Sequence, residues 1–360
     1  MYWILKKLSN MFLTLFGVVT IIFFLFNVLP GDPAQMMLGQ NEDSEQLTLI
    51  KKKYGFDKPV FIQYLYYLND LSPVSIHFNE SQNLSFLKKD KYNYVGLLSF
   101  EKYKVVLKTP YLRESYQKNG VTVVEIIKNT FPNTAVLALS SITIAIILGM
   151  FLGIFSALNK NNWIDYSIQL ISTLGMSVPS FFSAILFAWL FGYLLRDITG
   201  LNMTGSLYEL DDYGENLNIN LKNLILPSLV LGIRPVAVIS QMMRNSLLKV
   251  LSQNYIRTAY AKGLSKFQVI KNHAIKNSLN PVITALSGWF ASMLAGSVFV
   301  EYIFGWNGLG KEIVDSLNTL DVPVLIGAVL TIAFIFILIN IFVDIIYTWL
   351  DPKVKLELNL

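Results

Sequence analysis

Six stretches of the chain are apolar and almost free of charge, and polar segments separate them. Leu8 to Leu29, Phe131 to Leu158 and Tyr166 to Leu195 carry no charged residue; Leu224 to Met243 is interrupted by Arg234; Val282 to Val300 is uncharged; Val322 to Tyr347 holds only Asp344. A helix crosses roughly 30 Å of hydrocarbon with about 20 apolar residues, so the pattern predicts six transmembrane helices. Lys6 and Lys7 precede the first run as they would in a signal peptide. That run is longer than the usual h-region of roughly 7 to 15 residues and ends in Leu29-Pro30-Gly31-Asp32-Pro33 without a small-residue cleavage site, so it reads as a retained anchor.

The polar segments have their own patterns. Between the first two spans, residues 31–130 form a long hydrophilic region. Ser44 to Lys53 is helical in character and stops before Gly55; Asp57-Lys58-Pro59 signals a restart; and Phe61, Leu65 and Leu68 recur at helical spacing with Tyr64, Tyr66 and Tyr67 between them. Such a helix suits the headgroup level or a small packed subdomain equally. Residues of about 72–110, rich in Asn, Ser, Lys and Tyr, contain alternating pieces such as Tyr103 to Leu107 that predict strands.

Within the spans, Gly149 and Gly153 form a small-xxx-small pair of the kind that lets helix backbones approach. Gly175, Ser177, Pro179 and Ser180 make the third span irregular, which a bilayer tolerates only against protein or water. The face from Gly175 through Phe181 to Phe182 therefore lines a pathway or packs on another helix. Arg234, beside Pro235, costs on the order of 2.5 to 3.5 kcal/mol at a span centre, so it faces a cavity, a partner subunit or, by snorkelling, the interface.

The most informative hydrophilic stretch is Tyr255 to Pro281, which is basic and contains no acid. Tyr255 to Lys262 predicts a short helix ended by Gly263, since glycine accepts the left-handed conformation with which helices often close. Ser265 and Gln268 have capping-box spacing, so a second helix starts at once.

Composition agrees with a membrane protein: 53% of residues are hydrophobic, 15% are charged, and the mean hydropathy is +0.48. Lys6, Lys7, Lys160, the Arg244 to Lys276 set, Lys353 and Lys355 fall on one side of six alternating spans, which places both termini in the cytoplasm. The net charge of +5 is thus an orientation signal and gives no support for a nucleic-acid partner. The absence of cysteine excludes disulfides and thiolate chemistry, and His77 and His273 lie in different loops, so no metal cluster or catalytic constellation is expected. Gly305 to Lys311 satisfies G-x-x-x-x-G-K, but Glu312 stands where a phosphate-binding loop needs Ser or Thr, and no strand precedes it.

Tyr255, Arg257, Thr258, Ala259, Ala261, Lys262, Gly263 and Leu264, followed by His273, Ala274, Asn277 and Pro281, resemble the cytoplasmic coupling loop of ABC importer permeases. The resemblance is to the oligopeptide, dipeptide and nickel permeases of B type. It extends through Leu29 to Pro33, Lys53 to Tyr64, Val123 to Thr134, Glu301 to Gly310 and Asp351-Pro352-Lys353, with residues 72–110 as a departure and Gln241 where arginine is common.

The resemblance implies an all-α polytopic protein with the type I importer fold: a first transmembrane helix over 1–30, an extracytoplasmic region over 31–130 with an inserted lobe, a core permease domain over 131–350 with the coupling loop at 244–281, and a cytoplasmic tail at 351–360. It implies a non-enzymatic permease of the bacterial cytoplasmic membrane, importing oligopeptides or dipeptides or, alternatively, nickel or a metal chelate. The partners implied are a second permease subunit, two cytoplasmic ATPase subunits that use ATP and Mg, and an extracellular substrate-binding lipoprotein that the lobe meets. The chain itself would bind no cofactor. An ion-coupled secondary transporter is the alternative of another class, against which stand the scarcity of intramembrane carboxylates and the lack of an internal repeat. A non-transporting scaffold is the third.

Overall fold

In the computed structural model the described residues are 2–28, 32–38, 44–80, 83–87, 91–211 and 213–350. The tail 351–360 and the Leu29 to Gly31 part of the motif after the first run lie outside them. The chain divides into two compact units, one comprising 1–3, 130–311 and 332–360 and the other 4–129 and 312–331.

The elements run α1 (Tyr2–Val28), α2 (Pro33–Leu38), α3 (Ser44–Tyr54), α4 (Val60–Leu71), β1 (Val74–Phe78), β2 (Tyr94–Ser99), β3 (Tyr103–Lys108), α5 (Val123–Leu158), α6 (Trp163–Ser177), α7 (Ser180–Trp189), a π-helical turn at Leu190–Leu194, α8 (Arg196–Thr199), β4 (Tyr208–Leu210), β5 (Leu217–Ile219) and α9 (Lys222–Leu251). Then come α10 (Asn254–Ala261), α11 (Lys266–Val269), a second π-helical turn at Ile270–Ala274, α12 (Ile275–Phe304), α13 (Leu309–Asn318) and α14 (Val322–Leu350). The fold is therefore mainly helical and not purely so. Among the described residues four helices are long and apolar enough to cross a membrane, and α6 with α7 makes a fifth span if the pair, bent by 107°, is taken as one. The expected span Val282 to Val300 lies in α12, and part of it falls outside the described side chains.

In the larger unit α5 and α9 cross at backbone distance. A Cβ added to Gly153 would sit 2.6 Å from the Ser240 carbonyl oxygen, and one on Gly149 would sit 2.8 Å from Ile239. One core gathers Leu137, Ile142, Ala184, Leu226, Val230, Met293, Phe304 and Trp306; a second gathers Ala145, Ala157, Ile239, Met243, Leu247, Ile256, Ala259, Val269, Ala274 and Val282. The second core extends from the spans directly into the loop after α9. Pro281, expected to close that loop, sits inside α12. The proline removes one intrahelical bond without ending the helix, because Val282 just beyond it is fully buried in this core.

In the other unit α4 buries Tyr64, Tyr67 and Asp70 and leaves Phe61 and Leu65 exposed, so its tyrosines form the packed side. Tyr64 and Tyr67 cluster with Val19 and Phe23 of α1 and with Ile326. Strands β1, β3 and β2 form an antiparallel sheet in that order. Its alternation is inverted in β1 and mixed in β3, where Val106 is buried beside Lys108. Ser75, His77 and Lys108 are buried, whereas Val74, Ile76, Phe78, Val95, Leu98, Tyr103 and Leu107 are exposed.

Most buried polar groups around this lobe have partners, whereas the buried Tyr67 hydroxyl of α4 has no hydrogen-bond partner among the described residues. The two ring nitrogens of His77 meet the Ser85 carbonyl at 2.8 Å and the Ser75 hydroxyl at 2.9 Å. Tyr92 and Arg113 each donate to the Asp70 carboxylate at 2.8 Å, and Lys108 donates to the Asp70 carbonyl. Burial pushes the Lys108 ammonium down to about 8, against the opposing pull of Asp70.

A base whose pKa falls on folding binds fewer protons in the folded state, so stability rises with pH above the folded value. The lobe is expected to resist proteolysis better at pH 9 than at pH 7, within a window that opens near 8 and ends near 10. The upper limit is set by Tyr92, whose phenol burial pushes up and which favours unfolding once the unfolded tyrosine ionises. Cleavage of purified protein at the two pH values, normalised to an unstructured substrate, checks this.

Candidate functional site

The segment after α9 forms a tight double bend. Helix α9 continues to Leu251, so Arg244 lies within it and the loop proper starts at Ser252. Helix α10 follows and ends on Gly263, whose φ is +83° with open space around it. The amides of Lys262, Gly263 and Leu264 turn back to the carbonyls of Thr258 (3.0 Å), Tyr260 (2.9 Å) and Ala259 (3.3 Å), which satisfies the orphan acceptors at the helix end. Ser265 then caps α11 in a full capping box: its hydroxyl accepts from the Gln268 amide, and the Gln268 side chain accepts from the Ser265 amide at 3.0 Å. The π-helical turn redirects the chain into α12.

Two residues anchor α10. Ile256 and Ala259, three apart and hence on one face, are 2% and 7% exposed and pack with Met243, Leu247, Val269 and Ala274. Ala259 is thus turned into the chain's own core, while Tyr255, Arg257, Thr258, Ala261, Lys262 and Gly263 are exposed and Leu264 is partly buried. Phe267 of α11, 71% exposed, was not singled out by the sequence reading. Its available signal was an aromatic side chain between Lys266 and Gln268 in a basic, acid-free stretch. Asn277 donates to the Tyr255 hydroxyl at 3.3 Å, tying α12 back to α10.

At the root of this loop lies a buried ion pair that sequence reading also missed. Arg244 grips Asp165 in the first turn of α6 through Nε at 2.6 Å and Nη2 at 2.7 Å. Asp165 is fully buried. No local motif flags such a pair, because its members lie 79 positions apart in the chain.

The third apolar run breaks where it was expected to be irregular. Helix α6 ends at Ser177, Val178 is its C-cap, and α7 restarts after Pro179. Arg234 reaches the break, with Nε and Nη2 at 3.4 and 3.3 Å from the Val178 carbonyl oxygen. The guanidinium therefore sits at the negative end of the α6 dipole, a partner within its own chain that the sequence did not suggest. Gly175 packs against α9, since a Cβ there would lie 3.0 Å from Ile233. Ser177, Pro179, Phe181 and Phe182 are exposed or partly so, and Ser180 is partly buried.

The turn after α12 explains the false nucleotide motif. Gly305 ends α12 with φ +66°, and Glu301, fully buried, accepts from the amides of Gly310 at 2.7 Å and Lys311 at 3.2 Å, while the Leu309 amide donates to Thr134 at 2.8 Å. The amides that a phosphate would use are already held by a carboxylate and a hydroxyl.

Residues 149–356 match the family model described as binding-protein-dependent transport system inner membrane component, and residues 1–83 match the N-terminal model of the same systems. The chain is 30% identical over 98% of its length, and 98% of the relative's, to the dipeptide transport system permease protein DppB of Alkalihalophilus pseudofirmus. It is 31% identical over 99% of its length, and 98% of the relative's, to the dipeptide transport system permease protein DppB of Bacillus subtilis. A structure of the MetNI methionine ABC transporter in an inward-facing conformation superposes with a TM-score of 0.50 at 14% identity, covering 63% of this chain and 96% of that one, which establishes a shared fold. With a broken span, a capped double bend seated on the span core and full-length kinship, the chain belongs to the binding-protein-dependent transport system inner membrane components, the integral membrane permeases of ABC importers.

Proposed function

We propose that this permease imports short peptides, and that ATPase subunits drive it by engaging the outward face of α10 and α11. The observation that carries the reading is the seating of α10: Ile256 and Ala259 bolt it to the span core, leaving Tyr255, Arg257, Thr258, Ala261, Lys262 and Phe267 free for a cytoplasmic partner. A rigidly seated, outward-facing helix is what transmits a partner's movement into packed spans. Peptides are favoured over nickel or a metal chelate because the relatives matched along their full length are named for dipeptide transport. The finer arrangement belongs to the same proposal: six alternating spans with cytoplasmic termini, a second permease subunit, two ATPases using ATP and Mg, an extracytoplasmic binding protein, and a pathway along Ser177 to Phe182 near Arg234. Uptake of a labelled dipeptide by cells with and without this chain tests it. Uptake is expected to vanish both without the chain and when the ATPases lose their P-loop lysine; uptake that persists with inactive ATPases overturns ATP coupling.

The sheet supports the binding-protein contact. A face made of Val74, Ile76, Phe78, Val95, Leu98 and Leu107 exposes apolar surface of the kind that marks an interaction site. Leu98→Glu, at a position already 58% exposed, leaves folding intact and is expected to lower uptake at limiting binding protein about tenfold, the scale of one hot-spot contact. Equal uptake at every binding-protein concentration contradicts this role.

A further inference from the structure

We propose that Asp165 is a positioning residue for energy coupling: with Arg244 it locks the loop-side ends of α5, α6 and α9 into one body, so that movement of α10 is passed to the spans and not absorbed at their ends. The inference rests on the coupling reading above and specifies where the force enters the membrane.

Five donors converge on this one carboxylate. Arg244 supplies Nε and Nη2 at 2.6 and 2.7 Å, Asn161 its backbone amide at 3.0 Å, Gln169 its side-chain amide at 3.0 Å, and Ser156 its hydroxyl. Ser156, fully buried, belongs to the last turn of α5; Asn161 to the connection into α6; Gln169 to α6 itself; and Arg244 to α9, about two turns before its end. Three spans thus share one buried charge.

The position of the pair is what makes it mechanical. Met243, the neighbour of Arg244, is fully buried in the core that also holds Ile256 and Ala259 of α10, and its Cβ lies against Gly153 of α5. Apolar contacts alone permit sliding of one helix past another, whereas a bidentate guanidinium–carboxylate pair fixes separation and direction together. A buried pair of this kind contributes little net stability but leaves an uncompensated charge when one partner is removed. Its placement between three span ends fits a transmission role better than a stabilising one.

The test uses the full transporter in proteoliposomes, with dipeptide uptake and ATP hydrolysis measured on the same preparation. Arg244→Gln and Arg244→Lys are preferred to changes at the fully buried Asp165, because Arg244 is at the edge of the network with 15% of its side chain exposed. Arg244→Gln is expected to lower dipeptide taken up per ATP hydrolysed by about tenfold or more, with hydrolysis within about twofold, as loss of a coupling interaction predicts. Arg244→Lys, which keeps the charge, is expected to recover most of that ratio. A second variant, Asp165→Cys with Arg244→Cys, is expected to be uncoupled when reduced and recoupled when a short bifunctional thiol reagent joins the two positions.

An unchanged ratio in Arg244→Gln, with uptake and hydrolysis falling in proportion to the assembled complex, overturns the proposal in favour of a structural pair. Failure of the joined cysteines to recouple also overturns it. If Thr258→Cys or Ala261→Cys captures an ATPase while the ratio stays unchanged, only this inference falls; if neither captures one, the coupling reading falls first.

Discussion

Ile256→Asp is expected to abolish transport while the spans remain inserted. Ile256 is 2% exposed and packs with Met243, Leu247 and Val269. A carboxylate there would be buried among the apolar side chains of that core, so α10 must leave its seat to hydrate it. The milder Ile256→Ala removes apolar contact at a cost of about 2 to 5 kcal/mol, enough to loosen the helix without expelling it. Uptake measured beside protease access at Lys262 and Lys266 checks both variants. Rapid cleavage with no uptake is expected for the aspartate and intermediate behaviour for the alanine. Full uptake by Ile256→Asp contradicts the claim that a seated α10 matters.

The second large effect is on assembly. Gly153→Leu places a branched side chain where even a Cβ would be 2.6 Å from the Ser240 carbonyl oxygen and 2.7 Å from the Met243 Cβ. Overpacking usually costs about 1 to 3 kcal/mol, and more where the obstacle is backbone, because α9 must then separate from α5. Loss of nearly all full-length protein from the membrane fraction is expected, with Gly153→Ala retaining part of it. Wild-type amounts of Gly153→Leu contradict the close crossing. The quantity is read directly by immunoblot of washed membranes.

Much of the loop geometry was legible because it rests on local chemistry. Gly263 adopts the left-handed conformation and Ser265 with Gln268 makes the capping box, as their spacing predicts, and Gly149 and Gly153 mark the close crossing of α5 with α9. The turn signals at Gly55 and Pro59 and the strand at Tyr103 to Leu107 are also present.

What the sequence did not convey depends on tertiary context. Helix α9 absorbs Arg244 because Met243 and Leu247 continue its buried stripe, and α12 runs through Pro281 because Val282 beyond it is buried in the same core. The lobe turns polar residues inward because Asp70, Tyr92, Arg113 and Lys108 satisfy one another, so strand alternation alone assigns the faces of β1 the wrong way round. The Asp165–Arg244 pair and the approach of Arg234 to Val178 join distant parts of the chain and leave no periodic trace.

The outward face of α10 and α11 is expected to be held by an ATPase. The chain contains no cysteine, so single cysteines at Thr258, Ala261 and Phe267, all exposed, give unambiguous crosslinks in native membranes, with Ile256→Cys as the buried control. Capture of a P-loop ATPase from the three exposed positions and not from the control is the predicted result. Absence of any ATPase crosslink from all three, in protein shown by protease resistance to be folded, would contradict the account.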